Sequence, residues 1–188
     1  PLHAFDSEKI KGTLRVQRAG KFTNLTTLDN QKRKLNKEDL LIVDDVKPLA
    51  LAGTMGGADS EVSANTNRIS LEAAHFNSVA ISQNSRRHLL SSEASRRFER
   101  GVDPNLAPLA SARAALLLIE LAGAKYVGTS KVTTAIKSSS LSFEPQAICD
   151  LLGAKYSVAE IKTALIAVGC TVRSSGKKLI ATAPSWRR

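Results

Sequence analysis

The spacing of apolar residues switches near Phe76, and this switch constrains the fold more than any other feature of the chain. Up to that point apolar side chains alternate with polar ones or fall in short runs bounded by turn residues, the pattern of strands. "TLRVQRA" (13–19) alternates strictly. "TNLTTLDNQKRKL" (23–35) reads as a hairpin, with Asp29-Asn30 supplying residues that tolerate positive φ at the turn. "LLIVDD" and "KPLALAG" are two further strands. The polar, glycine-rich loop "GTMGGADSEVSANTN" then leads to a last strand, "RISLEAA".

After Phe76 the period lengthens to that of helices. Ser78 is placed to cap a helix through "VAISQNSRRHLL", and Ser92 or Ser95 to start a second one leading to "RRFERG". The strongest helical pattern covers 105–125. Leu109, Ala112, Leu116 and Ile119 line one face there, Pro108 sits near the start, and Gly123 closes the end. A strand "KVTTAI" (131–136) and a linker-like "KSSS" (137–140) follow.

The last quarter reads as a separate unit, which divides the chain into 1–134 and 135–188. "EPQAICDLLG" is a short helix ended by Gly153. Ser157 and Glu160 form an S-x-x-E capping box for a second helix, with Val158, Ile161, Leu165 and Val168 on one stripe. "CTVRSSGKKLIATAP" is a hairpin turning at Ser175-Gly176. Two short helices followed by a basic hairpin are similar to a winged helix-turn-helix module. The expected class is therefore α+β: a mixed, β-rich first domain with packed helices, then this small module.

Composition bounds the rest. Of 188 residues 43% are hydrophobic but only 4% aromatic, so the core must be built from Leu, Ile, Val and Ala. No apolar run approaches the roughly 18 residues of a membrane span. Cys149 and Cys170 lie in apolar settings without metal-like spacing, and His3, His75 and His88 are scattered. Reduced core cysteines and no metal site are expected. Net charge is +10, and residues 135–188 carry 8 basic against 3 acidic side chains. Such an excess suits an anionic partner, RNA or DNA, with Arg173, Lys177, Lys178 and Arg187 as candidate contacts. No P-loop, G-x-S-x-G, H-E-x-x-H or G-x-G-x-x-G occurs.

Two stretches carry chemistry. "LAGTMGG" has glycines at 53, 56 and 57 that let backbone N–H groups approach a ligand, although a tight strand connection uses the same residues. "LEAAHF" (71–76) sets Glu72 among apolar neighbours, where an unpaired carboxylate is costly. Either Glu72 meets a cation of its own chain, for example an arginine of "SEASRRFERGVDP", or it serves a ligand. The charges of that arginine-rich stretch read singly as an internal ion-pair network.

"PLHAFD", "LAGTMGGADSEVS", "LEAAHF", "SEASRRFERGVDP" and "PSWR" occur in this order at the spacing of one family. The chain resembles the β chain of bacterial phenylalanyl-tRNA synthetase over essentially its whole length. The resemblance implies that 1–134 is the tRNA-editing domain, truncated at its start, and 135–188 the following helix-turn-helix-like domain, truncated at its end. It implies hydrolysis of mischarged Tyr-tRNA(Phe), with Glu72 and the backbone N–H of Gly53 reading the tyrosine hydroxyl. Gly56, Ser92 and Ala94 match other substrate-binding positions. His3, the candidate catalytic residue, would lie near the terminal adenosine and ester, orienting RNA or water.

Position 92 is often threonine in the family and is serine here; position 89 is often glycine and is leucine here. The implied partners are an α chain, in an assembly of two α and two β, and tRNA(Phe), in the cytoplasm, with DNA a further target for the small domain. ATP and magnesium are implied for the whole enzyme, whose synthetic site lies on the α chain, and no cofactor for this segment. A non-catalytic nucleic-acid-binding or subunit-interface module stays open as the alternative.

Overall fold

The computed structural model describes residues 1–132 and 139–187. The chain forms two compact units, Pro1–Val127 and Gly128–Arg188. The expected boundary at 134/135 lies outside the described residues, as does most of the expected strand "KVTTAI", whose Lys131 and Val132 are not in a strand.

In the first unit, β2 (Arg15–Arg18), β5 (Leu40–Val43), β6 (Pro48–Leu51) and β7 (Met55–Gly56) form one antiparallel sheet in the order β2-β5-β6-β7. β3 (Asn24–Thr26) and β4 (Lys32–Lys34) make the expected hairpin, with Asn30 at φ +59° in its turn. β1 (Leu2–Asp6) pairs antiparallel with β8 (Ile69–Ala73).

β5 and β6 read as continuous apolar runs because both of their faces are covered. Ile42, Leu49 and Ala50 join Phe5, Phe76, Ile81 and Phe98 in one core cluster. Leu41, Val43 and Leu51, on the other face, join Ala19, Leu25, Leu35 and Leu90 in a second.

Three helices follow: α1 (Ser78–Arg87), α2 (Glu93–Arg100) and α3 (Leu106–Ala122). The cap of α1 is Asn77, whose side chain accepts from the Ala80 N–H, and not Ser78, which is already helical. Ser92 caps α2, and Ser95 closes a reciprocal capping box with it. Asn84 of α1 is fully buried yet satisfied, since its amide accepts from Leu40 N at 3.1 Å and donates to Leu40 O at 2.9 Å. Phe76 and Phe98 meet edge-to-face at 5.1 Å, fastening α2 to the core.

The apolar face expected to bury α3 is not buried: Leu109 is 69% exposed, and no residue of the helix is fully buried. Apolar residues surround this helix on all sides, so β8, its neighbour, covers only part of them. The ion-pair network expected in "SEASRRFERGVDP" reduces, among the described residues, to one exposed pair, Arg97–Glu93.

The second unit contains β9 (Ser140–Phe143), α4 (Pro145–Leu152), α5 (Val158–Ala167), β10 (Thr171–Ser175) and β11 (Lys178–Thr182). Gly153 closes α4 at φ +66°, and the Ser157–Glu160 capping box opens α5. β9 is a strand that the linker-like composition of 137–140 concealed; it pairs with β11 to give the order β10-β11-β9. The hairpin turn is Gly176-Lys177, because Ser175 still pairs with Lys178. Both cysteines are free.

Candidate functional site

A cavity of about 70 Å³ opens between β1, β8, the β6–β7 turn and the first turn of α2. His3, Gly53, Gly56, Glu72 and Ala94 all line it, together with apolar atoms of Leu51, Met55 and Phe98. Residues far apart in sequence converge because β1 and β8 are antiparallel with His3 directly opposite Glu72.

The Glu72 carboxyl has no hydrogen-bond or ion-pair partner among the described residues. The arginines of α2 that could have neutralised it point to other partners or to solvent. Burial pushes its carboxyl up to about 7 from an ordinary 4.5. Burial also lowers the pKa of His3, favouring its neutral imidazole. Thus the cavity floor holds a carboxyl and a neutral imidazole side by side.

The sign of the Glu72 effect on stability follows from linkage. A carboxyl whose pKa is raised on folding binds its proton more tightly in the folded state, so stability is lost as pH rises from about 4.5 to about 7. Glu72→Gln removes that loss. The melting temperature of this variant should match the parent near pH 4.5, exceed it increasingly toward pH 7, and hold a constant lead above. Equal melting points at all pH values would show that Glu72 is solvated.

Two glycines shape the opposite wall. Gly53 sits at φ +60°, and a Cβ there would lie 2.9 Å from Phe98 and 3.0 Å from Ile81, so only glycine satisfies both backbone and packing. Its N–H has no acceptor among the described residues. A Cβ on Gly56 would lie 2.5 Å from Cε1 of His3, so the bare glycine is what lets the imidazole rest on that backbone.

Ser92 is not among the lining residues. Its hydroxyl donates to Thr54 O at 2.6 Å and accepts from Ser95 N at 3.0 Å, tying the glycine turn to α2. Leu89 adopts φ +52° with its side chain 93% exposed, which explains why glycine also suits that position. Arg173, Lys177, Lys178 and Arg187 are all exposed in the second unit. The β10–β11 register sets Arg173 and Lys178 on the same sheet face, while Lys177 is in the turn.

Sequence reasoning missed a polar cluster centred on buried Asp39. Asp39 is fully buried and accepts from Arg87, from Asn36 N at 2.8 Å and, at 2.7 Å, from His88 Nε2. Arg33 was missed too; it donates to Thr27 Oγ1 and His88 O. Nothing in the spacing of residues 33, 39 and 88 signals these contacts. Among the described residues no three His, Cys, Asp or Glu side chains stand together as a metal site, and no helix is long and apolar enough to cross a membrane.

On an α+β scaffold, a buried carboxyl and a glycine with an unpaired backbone N–H line one small cavity. Residues 1–123 match the family model of the B3/4 domain, and the chain belongs to that family. Over its full length it is similar to phenylalanine–tRNA ligase β subunits: 43% identical to that of Corynebacterium glutamicum, 41% to that of Leifsonia xyli subsp. xyli, and 40% to that of Yersinia pestis. The match covers all of this chain but only 22%, 22% and 24% of these relatives, so the chain spans under a quarter of their length. A crystal structure of an N-terminal fragment of the phenylalanyl-tRNA synthetase β subunit from Pyrococcus horikoshii shares the fold. Its TM-score is 0.51 at 15% identity, over all of this chain and 55% of that one.

Proposed function

We propose that the first unit is a proofreading esterase that hydrolyses Tyr-tRNA(Phe), acting within a phenylalanyl-tRNA synthetase β subunit. The observation that carries this reading is the unpartnered Glu72 carboxyl in the same cavity as the free N–H of Gly53. A phenol hydroxyl satisfies both at once: it donates to the carboxylate and accepts from the N–H. Phenylalanine satisfies neither and strands a buried polar group, the kind of penalty that gives discrimination of ~10⁴-fold or more.

His3, opposite Glu72 and resting on Gly56, is the candidate group for orienting the ester or a water, and its neutral imidazole can accept a proton. An activated ester needs little beyond a well-placed water. Gly56 and Ala94 give bare walls against which the amino acid fits, and Ser92 holds the glycine turn to α2.

On this reading the partners are an α chain, with two copies of each subunit, and tRNA(Phe), in the cytoplasm. ATP and magnesium serve the synthetic reaction of the whole enzyme, for which this chain has no residues assigned. The test is hydrolysis of both esters by the full-length protein. Tyr-tRNA(Phe) should be cleared far faster than Phe-tRNA(Phe), and equal rates would refute the proposal.

A second reading concerns the small unit, where Arg173 and Lys178 share an exposed face. If that unit, with Lys177 and Arg187, binds RNA or DNA, the affinity of the full-length protein should fall steeply with added salt through counterion release. Substituting these four residues by Ala should flatten that dependence; an unchanged salt slope would exclude the small unit.

A further inference from the structure

We infer that Arg33 is a positioning residue of the cavity, holding two of its walls in one arrangement; this rests on the proofreading reading for its functional consequence. The guanidinium is nearly enclosed, with its side chain 16% exposed, and its fork is divided among three partners. Nε donates to Thr27 Oγ1 at 2.8 Å, Nη1 to His88 O at 3.0 Å, and Nη2 pairs with Asp29.

Each of the first two contacts leads to a different wall. Thr27 forms an antiparallel bridge with Gly57, and the next residue, Leu28, donates its N–H to Gly56 O at 3.0 Å. Arg33 thereby holds the end of β7 and the β6–β7 turn that leads into it; Gly56 of the strand and Gly53 of the turn line the cavity. His88 ends α1 and begins the connection through Leu90 to Ser92 and Ala94, the other wall. His88 is itself immobilised by its ring contact with buried Asp39.

On the opposite side of the glycine turn, Ser92 Oγ donates to Thr54 O at 2.6 Å. The two walls are therefore joined at two points, Ser92–Thr54 and Arg33, and the circuit of hydrogen bonds closes around the turn. Only a planar fork with several fixed donors can bridge two acceptors on separate segments; a lysine ammonium on a flexible stem cannot hold both in register. The consequence for the reaction is geometric. A shift of the glycine wall by about 1 Å moves Gly53 and Gly56 within the cavity and costs on the order of a hundredfold in rate.

The experiment compares Arg33→Lys and Arg33→Ala with the parent in the full-length protein, by hydrogen exchange and by hydrolysis. Amides of residues 54–57 and 89–95 should exchange at least about tenfold faster together, with β5 and β6 amides unchanged. Hydrolysis of the tyrosyl ester should fall mainly in kcat, KM for the aminoacyl-tRNA should hold, and the preference for tyrosine should narrow. Lysine should fail to restore either readout. Faster exchange confined to one wall, uniform acceleration across the unit, or full function in Arg33→Lys would each overturn the clamp. A parent protein that shows no tyrosine preference overturns the proofreading reading instead, and the exchange data alone then decide the clamp.

Discussion

In the full-length protein, Glu72→Ala should slow hydrolysis of Tyr-tRNA(Phe) by about ten- to a hundredfold while Phe-tRNA(Phe) is cleared at the parent rate or faster. The carboxyl contacts the hydroxyl end of the amino acid, remote from the ester carbon, so its loss deletes recognition and leaves the reacting groups in place. The deleted contact is a charge-assisted hydrogen bond worth about 1.5–3 kcal/mol, which converts to that range of rates. The same substitution removes the penalty against phenylalanine, whose ring no longer strands a half-buried carboxyl. The ratio of the two rates is therefore the diagnostic quantity. A structural role for Glu72 predicts something different: both rates fall in parallel and the melting temperature drops. That outcome is disfavoured by the absence of any cation paired with Glu72 among the described residues.

Asp39→Ala should produce the largest loss of stability of any single substitution considered, with little effect on the ratio of tyrosyl to phenylalanyl hydrolysis per folded molecule. The carboxylate is 0% exposed and joins the Asn36 N–H, the Arg87 guanidinium and the His88 ring. Removing it leaves the His88 ring without its partner at 5% exposure, while Arg87, whose side chain is 30% exposed, turns to water. Losing the hydrogen bonds to this buried carboxylate costs about 1.5–3 kcal/mol, because the Asn36 N–H and the His88 ring lose their acceptor. For a unit of this size the melting temperature should drop by roughly 10 °C. Asp39→Asn, which preserves volume and an acceptor for the Asn36 N–H, should lose less. Thermal unfolding followed by circular dichroism checks both variants, and a change below about 1 kcal/mol would show that the cluster is solvated.

How far the sequence alone reached depended on whether the information was local. Strands and helices were legible because apolar periodicity and capping chemistry act within a few residues; the Asp29-Asn30 hairpin and the Ser157–Glu160 box are examples. Family resemblance reached further, naming His3, Gly53, Gly56, Glu72 and Ala94, which line one cavity in the structure. Glu72 was conspicuous because a carboxyl in an apolar strand has a local cost that needs an explanation. β9 was obscured by a serine-rich start, since pairing with β11 outweighs weak intrinsic propensity. The exposed faces of α3 defeated a periodicity argument, which reports only that apolar residues exist and not what covers them.

The sequence by itself determined the α+β class, most of the helices and hairpins, the cost of a carboxyl at Glu72 and the freedom that glycine gives the turn. Each of these rests on short-range sterics or on burial of individual side chains; the remaining pocket residues came only through the family resemblance. Only the tertiary structure decided that the Glu72 carboxyl is paired with no side-chain cation among the described residues, that Ser92 ties down the glycine turn without lining the cavity, and that buried Asp39 binds both Arg87 and His88. It also decided that the guanidinium of Arg33 reaches from Thr27 to His88, 55 residues away along the chain. Such contacts are set by strand register and helix packing, which bring together groups whose separation in sequence carries no signal of their distance in space.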